Sequence, residues 1–423
     1  MSTPTRPPAS AAVAADRLHA ALGRIAGGRM AATVAALAGD AFAGRRVGSA
    51  GGAAARTWLA QHLADNGAAV TLEPFTVPHV PEVYTTPTVH WSNGGGAEHR
   101  LMFGRQVAVH LASADEALIR RGALAVAGAG DPVGRWLAVP DGMTLSDAYA
   151  YAYGHAHGAL GLLLGRGVDA DGWQYTMLAG PNPGPLPILT LDTATHTAVL
   201  DAASAGTGWF AGNTPIRRLE VPAANVHGRW RRAAGDLDVL LTAHYDGVGD
   251  HPGLRQPAAA DNGSGVAVVL EVGRVLAEVL PDTAGLAVAL LDGEEAGALG
   301  SAHHAAQLRA AGATPLVINV DGAGNLHQAA TVEAGGPADA LLAALDQAGR
   351  HTGLPLTAGP IASDNRRYAA AGLAAIGIGA GMAGYHSPAD TADRVETATL
   401  TAVARLVVAA GLLLAADPAT VSS

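Results

Sequence analysis

The chain reads as an α/β protein: a three-layer sandwich with a mostly parallel central sheet, plus an inserted, smaller β-rich domain. Three observations predict this. From Val221 onward short apolar runs alternate with longer amphipathic stretches, the texture of a parallel sheet covered by helices on both faces. Between about Asn93 and Asn213 that texture gives way to glycine-rich loops and brief apolar runs, with Pro181, Pro183, Pro185 and Pro187 punctuating the chain. The length of 423 residues exceeds the roughly 100–200 of a typical single domain.

Taken in order, residues 1–15 are rich in Pro, Ala and Ser and read as a flexible tail, with no apolar core of the kind a secretion signal needs. Asp16 to about Gly67 is helical in pattern, Leu59 and Leu63 lying one turn apart on a buried face and Gly67 ending a second helix. A strand over Ala69–Val77 follows, and residues 16–95 form the first part of the main domain. Residues 96–215 form the insert, with apolar runs at Val107–Ala112, Ala123–Ala127, Leu137–Val139, Leu160–Leu164 and Ile188–Leu191. Residues 216–417 carry the alternation: strands at Asp238–Ala243, Leu286–Leu291, Leu316–Val320 and Leu373–Ile378, and helices at Ser264–Leu280, Leu299–Ala311, Ala338–Arg350 and Leu400–Ala415. Residues 418–423 are a tail. The aliphatic run Leu406–Ala416 is shorter than the roughly 20 residues that span a bilayer, so it reads as a buried helix and the expected location is cytoplasmic.

Composition removes much chemistry. Every one of the 26 Lys-or-Arg positions is Arg, and there is no Cys. A lysine Schiff base, a P-loop lysine, a thiol nucleophile and a cysteine zinc finger are therefore excluded, and any metal must be held by His, Asp and Glu. The net charge of −10 gives no basic field for nucleic acid or an anionic membrane.

The remaining candidates fall just past the carboxyl ends of predicted strands, where open α/β sheets place their sites. His244 follows LDVLLTA, Glu294 and Glu295 follow LAVALLDG, Asp321 follows PLVINV, His386 lies beyond LAAIGIGA, and Asp261 sits in AAADNGSG before a helix. Singly, each has an ordinary reading as a helix cap, a first-turn acid or a loop histidine. Together they form an acidic cluster that would repel itself without a cation. Two His and three carboxylates exceed the three protein ligands of one catalytic zinc, but they suit two zincs sharing a carboxylate and leave one glutamate free as a base.

At these residues the chain resembles the M28 family of zinc aminopeptidases. The resemblance rests on His244-Tyr245-Asp246, Asp261-Asn262 before Gly263-Ser264-Gly265, Asp292-Gly293-Glu294-Glu295-Ala296-Gly297 before Leu299-Gly300-Ser301, Asn319-Val320-Asp321, and Tyr385-His386-Ser387 before Asp390. It implies a zinc-exopeptidase fold in which Asp261 bridges two Zn²⁺, His244 and Asp321 complete one site, and Glu295 and His386 complete the other, with Co²⁺ or Mn²⁺ as possible substitutes. It further implies that Glu294 is the general base toward a metal-bridging hydroxide, that Asp246 orients the His244 ring, that Tyr385 donates to the oxyanion, and that the Asp261–Asn262 peptide is cis. The substrates so implied are peptides with a free N-terminal amine. Gly44 to Ser49 is similar to the family's N-terminal segment, and residues 96–215 are similar to the protease-associated domain that many members insert. The chain departs from the family at Ser363-Asp364-Asn365-Arg366-Arg367-Tyr368, where His more usually follows Ser-Asp.

Two other functions fit the same fold: a one-zinc glutaminyl-cyclase-like acyltransferase, which has no need of His244 and Asp321, and a non-catalytic peptide-binding protein that has lost its ligands. Several features read as structural instead. His155 and His157 suit a polar loop, His303 and His304 a flank of the site or a surface, Gly128-Ala129-Gly130 a turn, and Ser264 the start of a helix.

Overall fold

The computed structural model describes residues 9–154 and 158–416. His155 and His157, and the tails at 1–8 and 417–423, lie outside the described residues. A helix, Ala9–Leu22, begins inside the expected tail, as its run of strongly helix-favouring alanines allows. The helical region that follows holds two further helices, Gly27–Leu37 and Ala50–Asp65, where one more in all was expected. The divisions fall at Gly23 to Gly27 and at Gly39 to Gly48, and Ser49 caps the last helix by accepting the Gly52 N–H at 3.0 Å.

The main sheet has eight strands in the order Ala69–Val83, Ile216–Arg231, Gly285–Leu291, Asp238–His244, Leu316–Val320, Ala375–Gly379, Ala330–Gly335 and Leu356–Ala358. Its four central strands are mutually parallel, and the long pair Ala69–Val83 and Ile216–Arg231 runs antiparallel along one side. Side chains alternate between two cores, as a period of two requires. Val239, Leu241, Ala243, Val288, Leu290, Ile318 and Val320 face one layer, with helices Gly265–Val279, Asp339–Thr352 and Thr397–Ala416. Leu240, Ala287, Ala289, Leu291 and Val317 face the other, which includes Ala305 and Tyr368 from helices Leu299–Ala310 and Asn365–Ala370. This is the expected three-layer sandwich. Thr397–Ala416 is the one described helix long and apolar enough to cross a membrane, and it is mostly buried as a core helix here.

The second sheet also has eight strands, spanning Val89 to Thr214. Val89–Ser92 pairs with Trp209–Thr214, so this module takes in a strand ahead of the expected boundary at residue 96. It is β-rich as expected, and it adds two helices that the sequence reading did not place. Helix Leu145–Gly154 packs on one face through Ala148 and Ala152, and helix Thr193–Ala205 on the other through Val199 and Ala202.

Candidate metal centre and active site

The four central strands of the main sheet end along one edge, and each delivers a side chain. His244 is the last residue of its strand and 1% exposed. Asp321 directly follows Val320, and Glu294 and Glu295 sit in the turn after Leu291. His386 comes from the loop beyond Gly379 and has a left-handed backbone (φ 53°). Asp261 lies in the wound segment Ala259–Ser264, and its peptide bond to Asn262 is cis.

These residues make two groups that share Asp261. His244 Nε2 stands 3.3 Å from Asp261 Oδ1 and 3.4 Å from Asp321 Oδ1. His386 Nε2 stands 3.0 Å from Asp261 Oδ2 and 2.9 Å from Glu295 Oε2. Each trio is buried, with ligand atoms close enough together to hold one metal ion. Glu294 belongs to neither trio and is only partly buried.

The electrostatics match a cation site. Burial alone would lower both histidines, yet the surrounding carboxylates outweigh it and raise His244 and His386 well above the ordinary imidazole value. Burial also raises Glu294 and Glu295. Burial would raise Asp261 as well, but the two facing imidazoles lower it. Glu295 Oε1 is buried with no hydrogen-bond partner. A cluster that draws positive charge onto its imidazoles, and keeps an unpartnered carboxylate oxygen, has the donor chemistry of a divalent-cation site.

Around this centre lies a shell of main-chain grips. The His244 Nδ1 faces the Asp246 carbonyl at 3.2 Å, with the Asp246 carboxylate at 3.6 Å. That carboxylate also accepts the N–H groups of Glu294 (3.1 Å) and Glu295 (3.2 Å), so one residue sets the histidine ring and the glutamate turn together. Asp390 accepts from the N–H groups of Ala260 (2.6 Å) and Asp261 (3.0 Å). Asn262 Oδ1 accepts from Gly265 (2.9 Å) and Gly322 (3.1 Å), tying the cis turn to the Asp321 strand end. A Cβ at Gly265 would lie 2.2 Å from that oxygen, so only glycine fits there. Ser264 stands at the start of helix Gly265–Val279 as expected, but its side chain makes no capping bond. Its hydroxyl donates to Ala260 O (2.6 Å) and accepts from Ala323 N (2.7 Å) instead, because the wound segment 259–264 runs straight into the helix.

Three contributors escape a reading of the sequence. Arg45 is completely buried, and its guanidinium donates to the carbonyls of Tyr245, Leu37, Pro257 and Ala258, clamping the segments on either side of His244 and Asp261. Asp364, in the stretch that departs from the family pattern, is fully buried with neither carboxylate oxygen hydrogen-bonded, and burial pushes it up to about 7. The third comes from the second module. Thr176 N–H donates to His386 O (2.9 Å), Met177 Sδ faces His386 Nδ1 at 3.1 Å, and Gln256 donates to Thr176 Oγ1 (2.7 Å). Tyr385, 39% exposed, stacks on His386 with centroids 3.8 Å apart and meets the ring of Tyr175 at 6.1 Å. His304, expected at a flank or surface, is instead buried against Tyr368 and His227, because its helix turns that side toward the sheet.

Residues 225–411 match the model of peptidase family M28. The chain carries an M28 peptidase domain. With that domain it is a metallo-hydrolase, and all six residues expected around the metals fall within the matched range. Among solved structures the fold is similar to BSAP, a zinc aminopeptidase from Bacillus subtilis, with TM-score 0.67, 19% identity, and 91% of this chain and 94% of that one covered. It is similar as well to an aminopeptidase from Aneurinibacillus sp. strain AM-1 (TM-score 0.68, 20% identity, 93% and 95% covered). A glutaminyl cyclase from Fimbriiglobus ruber shares the fold more loosely (TM-score 0.51, 14% identity, 92% and 95% covered). Each match spans more than nine-tenths of this chain, so the likeness extends beyond the M28 domain. No curated protein sequence matches the chain.

Proposed function

We propose that the M28 domain is a co-catalytic two-zinc aminopeptidase that removes N-terminal residues from peptides with a free α-amine. The observation that carries this reading is the pair of donor trios sharing Asp261, with a glutamate left over beside them. His244 and Asp321 would hold one ion, Glu295 and His386 the other, and Asp261 both. When bound, the cations supply Lewis-acid polarisation of the scissile carbonyl and a water acidic enough to ionise near neutral pH.

Glu294 acts as the proton carrier. Its backbone is fixed by Asp246, its carboxyl is raised by burial, and it is not consumed as a ligand in either trio. A base of raised pKa can accept a proton during attack on the carbonyl and return it to the departing amine. Tyr385 keeps its proton, because burial and the nearby acids raise it, and so its hydroxyl is a donor toward the developing oxyanion. Asp246 holds His244 in orientation, and Asp390 holds the Asp261 backbone. The second module is assigned to the protease-associated class on its position in the chain and its mixed sheet.

The glutaminyl-cyclase-like reading has a structural neighbour in its favour. It needs one trio, however, whereas His244 and Asp321 here complete a second. Hydrolysis of aminoacyl p-nitroanilides by the zinc-loaded protein, with matched N-acetylated substrates as controls, tests the proposal. Cleavage of the free-amine compounds and near-complete loss on acetylation are expected. Equal rates on both would place the enzyme among deacylases or endopeptidases, and cyclisation of N-terminal glutamine without peptide hydrolysis would favour the cyclase.

A further inference from the structure

A cavity of about 370 Å³ lies between the second module and the main domain. It is of the size that takes a small ligand or a peptide residue. Although the chain is acidic overall, no Asp or Glu is among the described residues lining it. Its polar side chains include Arg166, His110 and His251, set among aliphatic and aromatic groups. Burial lowers His110, with Arg166 adding to the effect, and pushes His251 down to about 4. Both imidazoles are therefore neutral at pH 7, which leaves Arg166 as the cavity's cation.

Arg166 ends the strand Gly161–Arg166 and is half-buried. Among the described residues its guanidinium has no carboxylate partner, and its ionisable neighbours are Tyr175 and His110. His251 Nδ1 is buried without a hydrogen-bond partner. A half-buried guanidinium without a counter-ion is an unfilled site for a planar anion, above all a carboxylate.

The cavity adjoins the metal centre. Thr176 and Met177 form part of its wall and are the residues that touch His386. Tyr175, also in the wall, meets Tyr385, whose ring lies on His386.

We propose that this cavity is the subsite for the leaving portion of the substrate, and that Arg166 pairs with its C-terminal carboxylate. The substrate class is then short peptides, dipeptides above all, with an apolar second residue and a free C-terminus. This rests on the aminopeptidase reading and adds a second recognition point, contributed by the other module.

The test compares leucyl-leucine with leucyl-leucinamide on the zinc-loaded protein. The free acid is expected to have the higher kcat/KM, by about 10- to 100-fold, as a charge-assisted pair implies. In Arg166→Met that ratio should fall to near one, and in Arg166→Lys it should recover in part. Equal kcat/KM for acid and amide in the parent protein, or an unchanged ratio in Arg166→Met, would overturn the proposal. Calorimetric binding of leucyl-leucine to zinc-loaded Glu294→Gln protein, with and without Arg166→Met, reads the subsite without turnover. At least a tenfold loss of affinity is expected, and unchanged affinity would refute the site. Failure of the parent protein to cleave leucyl-p-nitroanilide, which has no carboxylate, would instead count against the aminopeptidase reading alone.

Discussion

The two halves of the candidate metal centre are built differently. On one side His244 and Asp321 stand at the ends of adjacent parallel strands whose pairing fixes their spacing. On the other, His386 rides on a loop, and its carbonyl and ring are met by Thr176 and Met177 from the second module. The first half is a by-product of the sheet. The second takes its donors from the main domain but is braced by the second module, so its metal affinity is open to influence from a surface that supplies no ligand. Groups that orient ligands in this way are worth roughly 10–100-fold in metal affinity.

The largest effect should come from a residue that serves both halves without belonging to either. Glu294→Gln is expected to lower kcat by about 10²–10⁴-fold, the usual worth of a general base, while the zinc content measured by mass spectrometry stays at the parent level. Zinc loss in this variant equal to that in Glu295→Gln would show the roles to be wrongly divided. Glu295→Gln should then separate the halves, losing the His386-side ion and keeping the ion held by His244, Asp261 and Asp321.

A pH series sharpens the comparison. Both histidines are raised above their ordinary value in the metal-free protein, so binding a cation must displace protons. Zinc affinity should accordingly fall as pH is lowered toward and below the raised imidazole values, by roughly tenfold per unit for each proton released. Flat affinity between pH 8 and pH 6, measured with a competing chelator, would contradict this. The smallest effect is expected from the second module. Met177→Ala should weaken the His386-side ion by about tenfold and leave the other unchanged, with Met177→Leu separating lost packing from the lost sulfur acceptor. Equal weakening of both ions would remove the distinction between the halves.

What could be read in advance divides along the same physical line. The five proposed ligands and Glu294 stand out in the sequence because chemistry constrains their types and the ends of strands constrain their places, and the structure brings the five into two adjoining groups. The central strands were legible because each is a short apolar run. Arg45 and Asp390 lie in stretches that the resemblance marks, but their roles, like that of Thr176, were not legible, since their work is to hold main-chain groups, and carbonyls and N–H groups carry no mark in a sequence. Arg45 grips carbonyls 200 or more residues away. Helix Thr193–Ala205 did carry its marks: Asp192 accepts the Thr195 N–H at 2.6 Å, and Gly206 closes the helix in a left-handed conformation. Its alternation with neighbouring apolar runs was hidden among glycine-rich loops, so the helices of the β-rich module went unplaced.

The central claim is a pair of cation sites joined through Asp261, and metal counting tests it most directly. After dialysis against buffer containing a small excess of zinc, followed by removal of free metal, the protein should retain two zinc ions per chain, and Asp261→Asn should lose both. One ion per chain in the parent protein, or retention of both by a folded Asp261→Asn variant, would contradict it.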